Sequence, residues 1–234
     1  MRLRIRFAKT GKVRFVGHRD VARLWERGLR KASLSVAYSE GFSPRPRLSF
    51  GLALSTGYES NAEYLEVELR EPFDDATWDC WKAEEVRARI DATLPVGIDV
   101  LAVAPSDRGE DSLQKAVTSC TWEIIVDGID VEEASTGVLE LLGRSQILLE
   151  RERKGKIFTE DIRHQLLALE VNGDADDGVR LIADLGTQPR ALRPGEMLAA
   201  MDPPLTARSV CRMNQWMLQG NDRIEPLSVD AAPA

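Results

Sequence analysis

The chain has 234 residues, of which 43% are apolar and 29% charged, the balance of a globular protein with one large core or two small ones. No stretch approaches the roughly 20 apolar residues needed to cross a bilayer, which excludes a helical membrane protein. The net charge is −7, yet 13 of the 31 Lys/Arg and only 3 of the 38 Asp/Glu lie in the first fifty residues. A strongly basic segment on an acidic chain points to a polyanionic partner.

In chain order, residues 2–8 alternate Arg2, Arg4 and Arg6 with Leu3, Ile5 and Phe7. Period two predicts a half-buried strand with its arginines on the open face. Lys9 to Lys12 is a turn, and Val13 to Val16 extends or re-pairs the strand. Residues 18–32 have helical periodicity: Val21, Leu24, Trp25, Leu29 and Ala32 share one arc, Arg19, Arg23, Arg27, Arg30 and Lys31 the other. Leu34 to Ser39 reads as a short strand and Arg47 to Leu54 as another, with the loop Gly41-Phe42-Ser43-Pro44-Arg45-Pro46-Arg47 between them. Gly57 to Asn61 is a turn, Glu63 to Leu69 an alternating strand ended by Pro72, 77–93 a helix and Gly97 to Ala104 a strand.

Pro105 to Ser112 is polar and turn-rich and marks a domain boundary. Beyond it, Thr121 to Val126 is a strand and Val131 to Leu142 a helix. Ile147 to Arg153, Ile162 to Val171 and Val179 to Leu185 are strands. Pro194 to Met201 is a short helix and Ala207 to Leu218 a last strand. The strand, helix, strand, strand, helix, strand order is the split βαβ pattern, repeated loosely in the second half. The predicted fold is α+β: two tandem ferredoxin-like domains with antiparallel sheets, a basic one over 1–108 and an acidic one over 109–225, then a frayed tail over 226–234.

Five cations at three- and four-residue spacing repel one another, and only Asp20 and Glu26 stand near. They are either a solvated surface or a face that tracks phosphates. In the loop, Pro44 and Pro46 fix φ and remove two backbone donors, so Arg45 and Arg47 project together from a stiff segment. Tyr38 and Phe42 flank it and could stack on bases, with core packing as the alternative. His18 stands at a helix start, as an acid/base group or a phosphate contact, but with no carboxylate or nucleophile evident beside it. The candidate nucleic-acid-binding set is therefore Arg14, His18, Arg23, Arg27, Arg30, Tyr38, Phe42, Arg45 and Arg47. Lys154, Lys156, Asp161 and Arg163 form a secondary polar cluster whose default reading is a hairpin tip.

Cys80, Cys120 and Cys211 are widely spaced and odd in number, which suits a reducing cytoplasm and no disulfide framework. No Cys/His spacing suits zinc or an iron–sulfur cluster, and there is neither a phosphate-binding glycine loop nor a dinucleotide fingerprint. No metal site and no catalytic constellation are predicted.

The run Arg14-Phe15-Val16-Gly17-His18-Arg19-Asp20, then Arg23, Arg27, Tyr38-Ser39-Glu40-Gly41-Phe42-Ser43-Pro44-Arg45-Pro46, Ser49-Phe50 and Gly57, resembles the radical-SAM-linked proteins, a domain of unknown function. The match is dense over residues 1–70. It thins through Lys154-Gly155-Lys156, Asp161-Ile162-Arg163, Arg193-Pro194 and the last strand. The resemblance implies a radical SAM partner with a B12-binding-like domain, and work in RNA or ribosome maturation. The iron–sulfur cluster and S-adenosylmethionine would belong to that partner, and no cofactor to this chain. Many relatives carry Ser at the Gly17 position, an apolar residue at the Arg19 position and a His near the Cys211 position. Three readings follow: an RNA-binding accessory protein presenting RNA to that partner, a metal-independent ribonuclease or RNA-modifying enzyme using His18, and a protein–protein adaptor indifferent to RNA.

Overall fold

The computed structural model describes residues 1–70, 80–106, 111–153, 155–176 and 178–227. Two compact units divide the chain: Met1–Val117 together with the chain from Gln219, and Thr118–Leu218. Both mix helices with antiparallel strand pairs, an α+β architecture.

The first unit runs β1 (Arg2–Lys9), a 3₁₀ turn (Gly11–Phe15), α1 (His18–Lys31), β2 (Leu48–Phe50), β3 (Glu59–Glu68), α2 (Cys80–Asp91), β4 (Ile98–Ser106) and α3 (Leu113–Ala116). Its strands lie in the order β4-β1-β3-β2, every pair antiparallel. Leu3, Ile5 and Phe7 of β1 are buried with Val21, Trp25 and Leu29 of α1 and with Val86 and Ile90 of α2. The Phe7 and Trp25 rings meet edge-on, centroids 4.8 Å apart. Each such side chain contributes roughly 1.5–3 kcal/mol on burial. Gly28 is where α1 comes close to the turn after α2: a Cβ there would stand 2.8 Å from Leu94 Cδ2. Gly97 precedes β4 with φ of +91°, and a Cβ on it would lie 2.5 Å from Thr10 O. That close approach lets Thr10 N donate to Gly97 O at 2.8 Å and fixes the turn leading towards α1.

The second unit contains β5 (Val117–Asp127), α4 (Val131–Gly143), β6 (Leu148–Arg153), β7 (Lys156–Asp161), β8 (Leu166–Ala175), β9 (Gly178–Gly186), α5 (Pro194–Ala199) and β10 (Ala207–Gln219). Its main strands lie in the order β10-β5-β9-β8, while β6 and β7 make a separate two-stranded ribbon. Asp130 starts α4 with a reciprocal cap: its Oδ1 accepts from Glu133 N, and Glu133 Oε2 accepts from Asp130 N. Beyond β10 the chain re-enters the first unit through β11 (Asp222–Ile224).

Several expected elements differ. The segment Val13 to Val16 does not extend β1; the 3₁₀ turn occupies most of it, set off by Gly11 at φ +62°. Leu34 to Ser39 is no strand: only Val36 and Tyr38 make isolated bridges, to Leu69 and Pro46. Of Arg47 to Leu54 only β2 is strand, because pairing with β3 stops at Phe50 and Gly51 N makes one last bond to Tyr64 O. β3 starts at Glu59, inside the expected turn. The strand expected over Ile162 to Val171 begins instead with a 3₁₀ turn, Arg163–Gln165, and β8 follows. Pro72 and residues 77–79 of the expected second helix lie outside the described residues.

The open arginine face of β1 is also a correction. Arg4 and Arg6 are each 6% exposed. β1 is an interior strand, and residues 225–227 lie over its polar side. Arg4 donates to Glu66 Oε1 at 2.7 Å and to Pro226 O at 3.1 Å. Arg6 reaches Glu225 Oε2 at 2.7 Å and Leu227 O at 3.3 Å. Tyr64 OH donates to Leu227 O, and burial pushes its phenol above the usual range. The tail is therefore docked as far as Leu227, with Pro226 buried, while 228–234 lie outside the described residues.

Candidate functional site

α1 is the main functional candidate, and its local physics is simple. At 100° per residue, Arg19, Arg23, Arg27 and Arg30 fall within an arc of about 80°, and Lys31 continues it. Val21, Trp25, Gly28 and Leu29, the buried residues, occupy the opposite arc. The core contact therefore turns the cations to solvent. All five are exposed. Arg23 pairs with Asp20 at 3.0 Å, an exposed i,i+3 contact that holds its charge weakly. Among the described residues Arg19, Arg27, Arg30 and Lys31 have no carboxylate partner. Their stripe is about 18 Å long, the reach of a few successive phosphates.

The loop after α1 is closed by Ser39. Its N donates to Arg45 O at 2.8 Å, and its Oγ accepts from Arg45 N at 3.0 Å. With Pro44 and Pro46 inside or beside this closure, the tip has few conformations left. Phe42 at the tip is wholly exposed and stands outside the core of this unit among the described residues. Arg45 is exposed and has no ion pair among the described residues.

Other members of the sequence-predicted set are committed within the protein. Arg14 pairs with Glu59 at 3.0 Å and lies 4.8 Å over the Phe15 ring. Arg47 pairs with Glu68 at 3.2 Å, although half exposed. Tyr38 is half-buried against the core, with the Arg70 guanidinium 5.4 Å from its ring. The structure thus keeps the α1 stripe, Phe42 and Arg45 available, and uses Arg14, Arg47 and Tyr38 to hold the unit together.

His18 is exposed at the first position of α1, and its ring meets Phe50 edge-on at 5.1 Å. It lines a small cleft with Phe7, Lys9, Phe50, Leu54 and Glu63. Lys9 and Glu63 are functional candidates that motif reading missed. Lys9 continues the inward parity of Leu3, Ile5 and Phe7, and Glu63 is the cross-strand neighbour of Phe7. A charged residue at an inward position was the available signal. Lys9 is 4% exposed and donates from Nζ to Arg14 O at 3.1 Å. Burial lowers its pKa, and the Glu63 charge opposes that shift. The cleft therefore joins an amine, a carboxylate and an imidazole, the groups proton transfer needs.

The lowered pKa has a measurable sign. Between the folded value and the ordinary 10.5, the unfolded chain binds more protons at Lys9, so stability rises with pH across that window. Denaturant titrations at pH 8 and pH 10 should show a larger gain for the wild type than for Lys9→Met. Equal gains in the two proteins would contradict it.

The secondary cluster is divided. Asp161 Oδ1 accepts from Ile147 N at 2.9 Å and from Arg163 N at 3.0 Å, and these bonds hold its carboxyl below the usual range. Arg163 donates to Arg144 O, Leu142 O and Leu166 O, each at 3.1 Å, capping the end of α4. Both are structural ties at the base of the β6–β7 ribbon. Lys156 is exposed near its tip, and Lys154 lies outside the described residues. Among the described residues no group of three His, Cys, Asp or Glu could hold a metal ion, and no helix is long and apolar enough to cross a membrane.

A search of curated proteins finds no match. A family model described as "Uncharacterized protein conserved in bacteria (DUF2344)" matches residues 2–194, which include α1, the Ser39-closed loop and the His18 cleft. The chain belongs to this DUF2344 family.

Proposed function

We propose that the first unit binds RNA, with the outer face of α1 holding phosphates and Phe42 stacking on an unpaired base. The observation that carries this reading is the α1 stripe, where Arg19, Arg27, Arg30 and Lys31 are exposed and unneutralised among the described residues. Like-charged neighbours at this spacing cost stability in a free helix, so a surface retaining them gains when an anion arrives. A lone exposed aromatic on a stiff tip suits stacking on single-stranded RNA. The protein would act in the cytoplasm as an accessory in RNA or ribosome maturation, presenting RNA to a radical SAM protein that carries the iron–sulfur cluster and S-adenosylmethionine. Support for that partner comes from the sequence resemblance alone.

The fold proposed beneath this function is a tandem of ferredoxin-like domains. The first unit has the strand–helix–strand–strand–helix–strand order with β4-β1-β3-β2 adjacency. The second has the same adjacency, β10-β5-β9-β8, once the β6–β7 ribbon is taken as an insertion after α4. These two orders support the tandem reading.

Binding of a labelled single-stranded oligoribonucleotide, followed by fluorescence anisotropy across a salt series, tests the proposal. Four phosphate contacts give a slope of log K against log salt near −3, a loss of about 50-fold between roughly 50 and 200 mM. A flat salt response, or no binding, defeats it and favours the adaptor reading.

The Lys9–Glu63–His18 cleft favours a second reading, metal-independent cleavage or modification of RNA at His18. RNA cleavage by the purified chain that His18→Ala abolishes, with RNA binding intact, would support it.

A further inference from the structure

The second unit carries a groove that the RNA reading does not use. One wall is α4, with Glu132, Thr136 and Glu140 on one row and Glu133 and Gly137 on the next. The other wall is the loop containing Met201, Asp202, Pro203 and Leu205, and the turn Gly128–Asp130 closes one end. The groove encloses about 560 Å³. Its floor is apolar: Met201 is buried, Ile129 and Leu205 are half-buried. Gly137 keeps it open, since a Cβ there would meet Met201 Cε at 3.2 Å. The loop wall is anchored, with Leu205 N donating to Leu198 O and Arg144 Nη1 to Ala200 O.

The rim is of one sign. Asp130, Glu132, Glu133, Glu140 and Asp202 line it, and among the described residues no Lys or Arg does. None of the five has an ion pair among the described residues. Glu132 and Glu140 stand two turns apart, about 12 Å along the helix, too far to share one metal ion. Five carboxylates repel nucleic acid. An apolar floor between unpaired carboxylates is instead complementary to a chain segment bearing Lys or Arg beside apolar side chains.

We infer that this groove docks a cationic amphipathic segment of a partner protein, with its apolar side chains on Met201 and Leu205 and its cations on the α4 carboxylates. The site is independent of RNA binding by α1.

The test uses the full chain and a fluorescein-labelled helical Lys/Leu peptide at about 150 mM salt, where exposed charges are screened beyond about 8 Å. The wild type is expected to bind it. Glu132→Lys/Glu140→Lys should weaken binding at least about tenfold, and Glu170→Lys/Asp174→Lys, the same charge change on exposed residues outside the groove, less than about twofold. A Lys/Ser peptide of equal charge should bind at least about tenfold more weakly than the Lys/Leu peptide. The inference is overturned by any of four results: no binding, equal loss in the two double variants, equal binding of the two peptides, or sedimentation showing a dimer that Glu132→Lys/Glu140→Lys dissolves. The last would make a second copy of this chain the occupant.

Discussion

Replacing Arg23, Arg27 and Arg30 together by glutamate is expected to lower RNA affinity at least about 100-fold at roughly 100 mM salt, and to flatten the salt slope. The three side chains lie on the exposed arc of α1, away from Val21, Trp25 and Leu29. Glutamate is as good a helix former as arginine, so the helix should persist, with a small cost near its carbonyl end. Far-UV circular dichroism and thermal melting check that. The same charge change at Lys82, Lys115 and Arg180, outside the stripe, should cost less than about threefold if a local face rather than net charge attracts RNA. Equal losses in the two triples would sink the α1 site. Phe42→Ala should cost a further tenfold or so, since stacking is worth about 1–3 kcal/mol per base. Arg14→Ala and Arg47→Ala, which remove guanidiniums already held by Glu59 and Glu68, should change affinity little.

Glu66→Ala is expected to destabilise the protein by about 3–5 kcal/mol, the cost of removing one partner of a buried ion pair. Glu66 is 4% exposed, and Arg4 bonds its Oε1 through both Nε and Nη2. Arg2 adds a weaker contact at 3.6 Å. Arg4 and Glu66 face each other directly across β1 and β3. Replacing both partners, Arg4→Met with Glu66→Leu, should recover most of the loss, because the pair's attraction is largely offset by desolvation. Chemical denaturation of the two variants against the wild type measures both effects. A Glu66→Ala protein within about 1 kcal/mol of wild type would show that the pair is solvated.

These two outcomes separate the arginines that meet a partner from those that hold the fold. The opening strand and α1 carry the same residue type at regular spacing, and local pattern alone treats them alike. In β1 the alternation of Arg with Leu, Ile and Phe was legible as a strand. That its polar side is covered was not, because the covering residues lie far along the chain: Arg4 meets Pro226 and Arg6 meets Glu225, 222 and 219 residues away. In α1 the apolar arc marked the buried side without outside help, so the exposed stripe was legible as it stands. The loop was legible as stiff from Pro44 and Pro46. Its closure by Ser39 is a contact within the loop, whereas the diversion of Arg47 to Glu68 and of Tyr38 to Arg70 required the neighbouring strand to be in place.

The cleft beside His18 follows the same logic. Parity put Lys9 and Glu63 on the inward side, but nothing local puts either of them beside His18. That meeting depends on the antiparallel register of Phe7 with Glu63 and on α1 starting over the end of the sheet.

By itself the amino-acid sequence determined the charge asymmetry, which is composition, and the periods of β1 and α1 and the presence of a rigid arginine-bearing loop, each of which depends on residues close together in the chain. Only the tertiary structure decided which cations are neutralised, which carboxylates line a groove and which charged groups are buried together. Coulombic pairing and desolvation act between residues brought close by the fold, and sequence distance carries almost no information about them.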